Sequence, residues 1–209
     1  MSRRRFSSLL VVAGALMVPV AAAGCGAGEA GGSDVAAVAG TAETFGSDLI
    51  AQLSTSEGEI LIELYPTLAP RHVEAFGRRA SEGGYDGLEF HRVVPGYLVQ
   101  TGDPTGTGTG SAASEALALE PNELSHLRGT LSMARLGHPD TAGSQFFICH
   151  GDATHLDSKY TAFGRLISGY ETLDAIAMAP AEGERPIEPV SLDAVTVRAR
   201  TDLDPSSGH

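Results

Sequence analysis

Between Leu49 and Arg200 the chain returns again and again to short runs of strand-forming residues and turns to helical spacing only twice. LIAQLST (Leu49–Thr55) and EILIELY (Glu59–Tyr65) flank the turn signal Ser56-Glu57-Gly58. A hairpin follows around Pro95-Gly96. Further runs occupy Gly129–Arg135, Ser144–His150, Thr161–Ile167 and Val190–Arg200. The two helical stretches lie far apart. One begins at Pro70 and places Val73, Phe76 and Ala80 on one face; it ends at Gly83-Gly84, with Arg71, His72, Arg78 and Arg79 expected on its solvated side. The other runs from about Tyr170 to Met178, with Leu173, Ile176 and Ala177 inward. Two widely separated helices cannot supply the crossovers of a parallel sheet. The expected fold is therefore mainly β: a closed antiparallel barrel of about eight strands capped by two α-helices, formed by residues 48–200.

The segment before this domain has a different chemistry. Arg3, Arg4 and Arg5 precede Leu9–Ala23, an apolar run shorter than the ~20 residues a membrane span needs. A charged start, an apolar run and small residues read as a secretory signal over residues 1–24. Ser2–Phe6 also matches a twin-arginine start, so two export routes fit. Ala22-Ala23-Gly24-Cys25 resembles a bacterial lipobox, which implies a lipid on Cys25; the rival is ordinary cleavage after Ala21-Ala22-Ala23. Residues 25–47 are rich in Gly, Ala, Ser and Thr and read as a flexible tether. At roughly 5–6 Å × √n, its ~22 residues reach about 25 Å. The last nine or so residues, 201–209, are polar and expected to fray.

Charge excludes one class of partner. The chain carries −12, and without the three leader arginines 11 basic residues face 26 acidic ones, a net of about −15. Such a body is repelled by phosphate backbones and anionic headgroups, so no nucleic acid is expected, and membrane contact is expected only through a lipid anchor. Of the two cysteines, Cys149 ends the apolar run Phe146-Phe147-Ile148 and is expected to pack as a small hydrophobe.

The chemistry-bearing stretch is FHRVVPGYLVQTGDP (Phe90–Pro104). Arg92 and Gln100 return to one side of the hairpin, next to aliphatic and aromatic side chains. An apolar site with a few fixed polar donors is the usual form of a small-ligand pocket. The following Gly102–Gly110 alternates Gly with Thr, but neither the Lys of a phosphate-binding loop nor a strand-to-helix context accompanies it. It reads as a mobile loop beside the site.

Three blocks, FHRVVPGYLVQTGDPTGTGTG (Phe90–Gly110), RGTLSMAR (Arg128–Arg135) and GSQFFICHGDATHLDSKYTAFG (Gly143–Gly164), together resemble the cyclophilins, a family of cyclosporin-binding peptidyl-prolyl cis-trans isomerases. The resemblance spans about Leu49 to Arg200. It implies an eight-stranded antiparallel barrel capped by two helices, and a monomeric enzyme that acts on proline-containing polypeptides without a cofactor. Position by position, it implies that Arg92 and Gln100 are catalytic. Tyr97, Leu98, Phe147 and Leu156 then form the wall of a proline pocket, and Gln145 its polar rim. His91, Ala134 and Arg135 complete the peptide-binding surface, with Tyr160 on the rim. His155 stands where the best-known relatives carry Trp, which implies weakened cyclosporin binding.

These residue types suit the reaction. Amide resonance sets a barrier of ~18–20 kcal/mol, and uncatalysed X-Pro exchange takes roughly 10–100 s. A guanidinium stays protonated and donates to the twisting amide, while apolar walls exclude water and strengthen that contact. Two other readings are weaker. A metal hydrolase would draw on His91, His126, His138, His150 and His155, but no H-E-x-x-H context joins them. A Cys149 nucleophile would need a thiol turned out of packing.

Overall fold

A computed structural model describes residues 47–111, 116–135, 137–138 and 141–203. The expected signal segment, Cys25 and all but the end of the expected tether lie outside the described residues, as does the tail beyond residue 203. Residues 201–203 belong to a short 3-10 turn, Arg200–Leu203, that continues directly from the last long strand.

The strands in chain order are β1 (Leu49–Thr55), β2 (Gly58–Leu64), β3 (Leu88–Glu89), β4 (Arg92–Val94), β5 (Leu98–Thr101), β6 (Thr130–Arg135), β7 (Ala142–Cys149), β8 (Thr161–Ser168), β9 (Ala181–Glu182), β10 (Arg185–Pro186) and β11 (Ser191–Ala199). The helices are α1 (Pro70–Ser81) and α2 (Tyr170–Ala177). Nine strands form one antiparallel sheet in the order β3-β11-β1-β2-β8-β6-β7-β5-β4, and β9 pairs with β10 in a separate hairpin. The mainly-β architecture with two helices matches the expectation. The closure differs in detail. The end strands β3 and β4 share no ladder; they are joined covalently through Phe90-His91. Phe90 N–H instead donates to Val190 O at 2.9 Å, and Val93 N–H to Glu184 O at 2.7 Å. The curled sheet is thus open between β3 and β4 rather than closed as expected, with Phe90-His91 crossing the gap and the hairpin bonded beside it.

Alternation along the strands separates two environments. One face of the sheet contributes Val99, Leu131, Met133, Phe146 and Ile148 to the main core, together with Leu53, Ile60 and Ile62 from β1 and β2. The other face of the same central strands carries Leu98, Ala134, Phe147 and Cys149, which form a second cluster with Ala153 and Leu156. The core is the inside of the curl. The second cluster lies outside it.

Helix α1 closes the inner core through Val73, Phe76 and Ala80, as its spacing predicts. Phe76 is fully buried, with ring centroids 5.2 Å from Tyr85, 5.4 Å from Phe146 and 5.5 Å from Phe163. His72 departs from its expected solvated position and is fully buried. The reason is Glu120, which arrives from the loop before β6. The N-cap, Ala69, offers no side-chain acceptor. Glu120 takes that role, accepting the backbone N–H groups of Arg71 and His72 at 3.3 and 3.1 Å and lying 2.6 Å from His72 Nδ1. Burial pushes His72 down despite Glu120, so a neutral imidazole faces a carboxylate. Hydrogen bonds from His72 and Arg71 outweigh burial at Glu120 and keep it ionised.

The Gly-Thr loop after β5 is built around one side chain, which replaces the expected mobile loop. Asp103 is only 1% exposed. Its Oδ1 accepts from Thr105 N at 2.7 Å and Thr105 Oγ1 at 2.8 Å; its Oδ2 accepts from Gly108 N at 2.6 Å and Gly110 N at 3.0 Å. A Cβ at Gly110 would run into the Asp103 carboxylate and Thr105, so the wrap requires glycine there. Burial works to raise the Asp103 pKa, but the bonds from Thr105, Gly110 and Gly108 outweigh it and hold it at about 2.

Two stability effects follow. Phe76→Ala leaves a void between three rings and is expected to cost about 3–5 kcal/mol, read as a lower denaturation midpoint with unchanged slope. Asp103→Asn is expected to cost about 2 kcal/mol at neutral pH. Because the folded pKa is depressed from 3.8 to about 2, the wild-type advantage is complete above about pH 4 and disappears as pH falls toward 2. Urea titrations of both proteins at several pH values should converge in that window.

Candidate functional site

The hairpin β4–β5 sets the polar end of the site. Val94-Pro95-Gly96-Tyr97 is a tight turn closed by Tyr97 N–H donating to Val94 O at 2.9 Å; Gly96, at φ 76°, takes the position that needs the left-handed region. This turn sets the register that puts Arg92 directly across from Gln100. Gln100 is in turn opposite Phe147 on β7, and Phe147 opposite Ser132 on β6. One row of the sheet's outer face therefore carries a guanidinium, an amide and a phenyl ring in sequence.

The polar groups are linked. Arg92 Nη1 donates to Gln100 Oε1 at 3.4 Å, and Gln100 Nε2 to Gln145 Oε1 at 2.7 Å. Gln145 Nε2 then donates to the carbonyls of Gly110 and Gly108 at 2.6 and 3.1 Å. The Asp103-centred loop thus provides the fixed end of a donor chain that leads back to Arg92.

Arg92, Tyr97, Leu98, Gln100, Ala134, Arg135, Phe147, Leu156 and Tyr160 line one groove, as does Gly108 of the wrapped loop. Its cavity volume is about 310 Å³. That size suits a peptide side chain and its flanking backbone. Leu98, Phe147 and Leu156 are buried and form its apolar floor. Tyr160 meets Phe147 edge-on at 5.8 Å, and Arg135 lies over the Tyr160 ring at 4.6 Å. Beyond Ala134 and Arg135 a second compartment opens, bounded by Gln145, Thr141 and Gly143. His155 is exposed at the rim and stacks on Tyr97, with Nε2 3.3 Å from the Tyr97 hydroxyl.

His91 lies beside this groove rather than in it. Its ring is buried against Gly108, and burial pushes its pKa down. It lines an adjoining opening together with Arg92, Gln100, Gly108 and Glu184.

The remaining histidines are spread over separate contacts. His126 is buried behind Phe147, stacked at 6.0 Å. Its Nδ1 is 2.8 Å from Asp157 Oδ1 and its Nε2 2.9 Å from Ser132 Oγ. The distances match a Ser-His-Asp triad, but Ser132 is fully buried and its hydroxyl also reaches Thr161 O at 2.9 Å. The arrangement supports the Phe147 wall from behind. His150 accepts Gly96 N–H at Nδ1 (2.7 Å) and meets Asp174 at 2.8 Å, tying the β4–β5 turn to α2. Among the described residues no three His, Cys, Asp or Glu side chains converge as a metal site. Cys149 is buried, and burial, followed by Asp157 and Asp152, pushes its thiol up to about 12. It is a packing residue under the floor.

Two parts of the site lie outside what motif reading located. Asp103 had a local signal, since an Asp ahead of Thr and Gly tends to bond the backbone that follows. Glu184 had none. It reaches Arg92 from the β9–β10 hairpin; Arg92 Nε donates to Glu184 Oε2 at 2.6 Å.

The chain matches the family model described as cyclophilin type peptidyl-prolyl cis-trans isomerase over residues 50–197. It is 42% identical over 153 residues to peptidyl-prolyl cis-trans isomerase-like 3 of Mus musculus, covering 70% of this chain and 94% of that protein. It is likewise 42% identical over 146 residues to the peptidyl-prolyl cis-trans isomerase ppi1 of Schizosaccharomyces pombe, covering 68% and 94%. The crystal structure of a Cryptosporidium parvum cyclophilin type isomerase, determined in the presence of the dipeptide Ala-Pro, superposes with a TM-score of 0.69 at 32% identity, covering 72% of this chain and 99% of that one. Fold, groove and relatives agree: the chain belongs to the cyclophilin family and is a cyclophilin-type peptidyl-prolyl cis-trans isomerase.

Proposed function

We propose that this isomerase acts on X-Pro bonds of exported proteins outside the cytoplasmic membrane, with Arg92 as its catalytic charge. The observation that carries the catalytic part is the linked row Arg92–Gln100–Gln145 on the rim of a buried apolar floor. The proline ring packs on Leu98, Phe147 and Leu156, while Ala134, Arg135 and Gln145 hold the neighbouring peptide. Rotation about the C–N bond ends amide resonance and leaves a lone pair on nitrogen. The Arg92 guanidinium stabilises that twisted state more than either planar one. Gln100 accepts one of its N–H groups and contacts the substrate backbone. No bond is made or broken, so the reading requires no nucleophile, metal or cofactor.

The cellular part rests on sequence. Residues 1–24 have the form of a signal segment, Cys25 follows small residues, and residues 25–47 have tether composition, ahead of a domain at residues 48–200. A lipid on Cys25 keeps a monomeric domain near the outer membrane face. The acidic body disfavours nucleic acid. His155 at the rim, in the position where a larger ring would give more contact, goes with weak cyclosporin binding.

Arg92→Ala is expected to lower kcat/KM on a short proline peptide by about 10²–10³ with the thermal transition retained. A rate equal to wild type would overturn the catalytic assignment. Mass measurement of the mature protein is expected to find a diacylated Cys25 at its N-terminus; an unmodified start at Gly24 would overturn the tether.

A further inference from the structure

The β9–β10 hairpin is far from the groove in sequence but is fastened beside it. Glu184 O accepts Val93 N–H at 2.7 Å, so the hairpin backbone is bonded to the residue next to Arg92. Arg185 donates to Gly106 O at 2.6 Å and Glu89 Oε2 at 3.2 Å, adding attachments to the wrapped loop and to β3. Ile187 N–H donates to Pro180 O at 2.8 Å across the base of the hairpin. The Glu184 side chain is therefore delivered to a defined place. Its two oxygens meet Arg92 side-on: Nε to Oε2 at 2.6 Å and Nη2 to Oε1 at 3.3 Å.

A guanidinium has five N–H groups in a rigid plane. Glu184 takes one from Nε and one from Nη2, and Gln100 takes one from Nη1. One N–H remains on each terminal nitrogen. A side-on pair fixes the plane while leaving the far end of the fork open. A carboxylate bound end-on would occupy those same groups and block the site.

We infer that Glu184 is a positioning residue for Arg92: its side-on ion pair locks the guanidinium plane so that the two terminal N–H groups left over are the ones presented to the twisting prolyl amide. This rests on the assignment of Arg92 as the catalytic charge. Without Glu184 the long Arg92 side chain, about one-third exposed, keeps only the 3.4 Å contact to Gln100 and samples other rotamers.

The test is a set of steady-state rates on one proline peptide for wild type, Glu184→Ala, Glu184→Gln, Arg92→Ala and the double variant Arg92→Ala/Glu184→Ala, with thermal transitions measured in parallel. Glu184→Ala is expected to lower kcat on the order of tenfold with little change in KM or thermal midpoint. Glu184→Gln, which keeps an acceptor for one of the two bonds, is expected to fall between it and wild type. In the Arg92→Ala background, loss of Glu184 is expected to add nothing. The inference is overturned if Arg92→Ala is slow while Glu184→Ala matches or exceeds wild type, since Glu184 would then be neutral or a competitor. It is equally overturned if Glu184→Ala has the same effect with and without Arg92. Should Arg92→Ala itself run at the wild-type rate, the Arg92 assignment fails and this inference fails with it.

Discussion

Strand alternation is the constraint on which the molecule depends. Successive residues of β5, β6 and β7 must point to opposite faces of one sheet. Phe146 and Ile148 are therefore committed to the interior, and Gln145, Phe147 and Cys149 to the exterior. A slip of one residue would exchange core and site together. The closed turn at Pro95-Gly96 and the Asp103 wrap, at either end of β5, are the features that hold this register where Arg92, Gln100 and Phe147 must align. Stability and chemistry are therefore coupled at the level of pairing, before any single contact is considered.

The outer face would be a poor place for an apolar pocket if it stood alone, because water would reach every donor. It is protected by layers. His126, Asp157 and Ser132 supply a satisfied polar layer under Phe147. Arg135 over Tyr160, and His155 over Tyr97, form the sides. The polar row then works against a background of low polarisability, where each donor counts for more than it would in open solvent.

How much of this was legible in the sequence depended on the distance over which each feature is encoded. Strand runs and the α1 face are local, and Val73, Phe76 and Ala80 read correctly from spacing alone. The groove residues came from ordered motifs, and the structure gathers all of them except His91 into the groove or along its rim. His72 was misplaced because its partner, Glu120, lies in a loop with no periodic signal. His91 sits one step aside, between β3 and β4, where it lines an adjoining opening with Arg92, Gln100 and Glu184. The expected mobility of the Gly-Thr loop followed from composition, which does not register a single buried carboxylate taking five bonds. Glu184 depends on a contact spanning 92 residues, and a lone Glu in a turn carries no mark of it.

The sheet order has a bearing on how the protein comes into being. β1 pairs with β2 on one edge and along its whole length with β11 on the other, so its second edge is satisfied only by the last long strand. Between them lie nearly all the other elements, and the seam at Phe90-His91 is bonded to Val190, just before that last strand. Bringing such distant segments together incurs loop entropy before any core contact compensates it, which places this topology among slow folders. An N-terminal portion emerging alone has an unpaired β1 edge. The free edge of β1 and the Phe90-His91 crossing are therefore satisfied only once the segment from Val190 to Ala199 is in place.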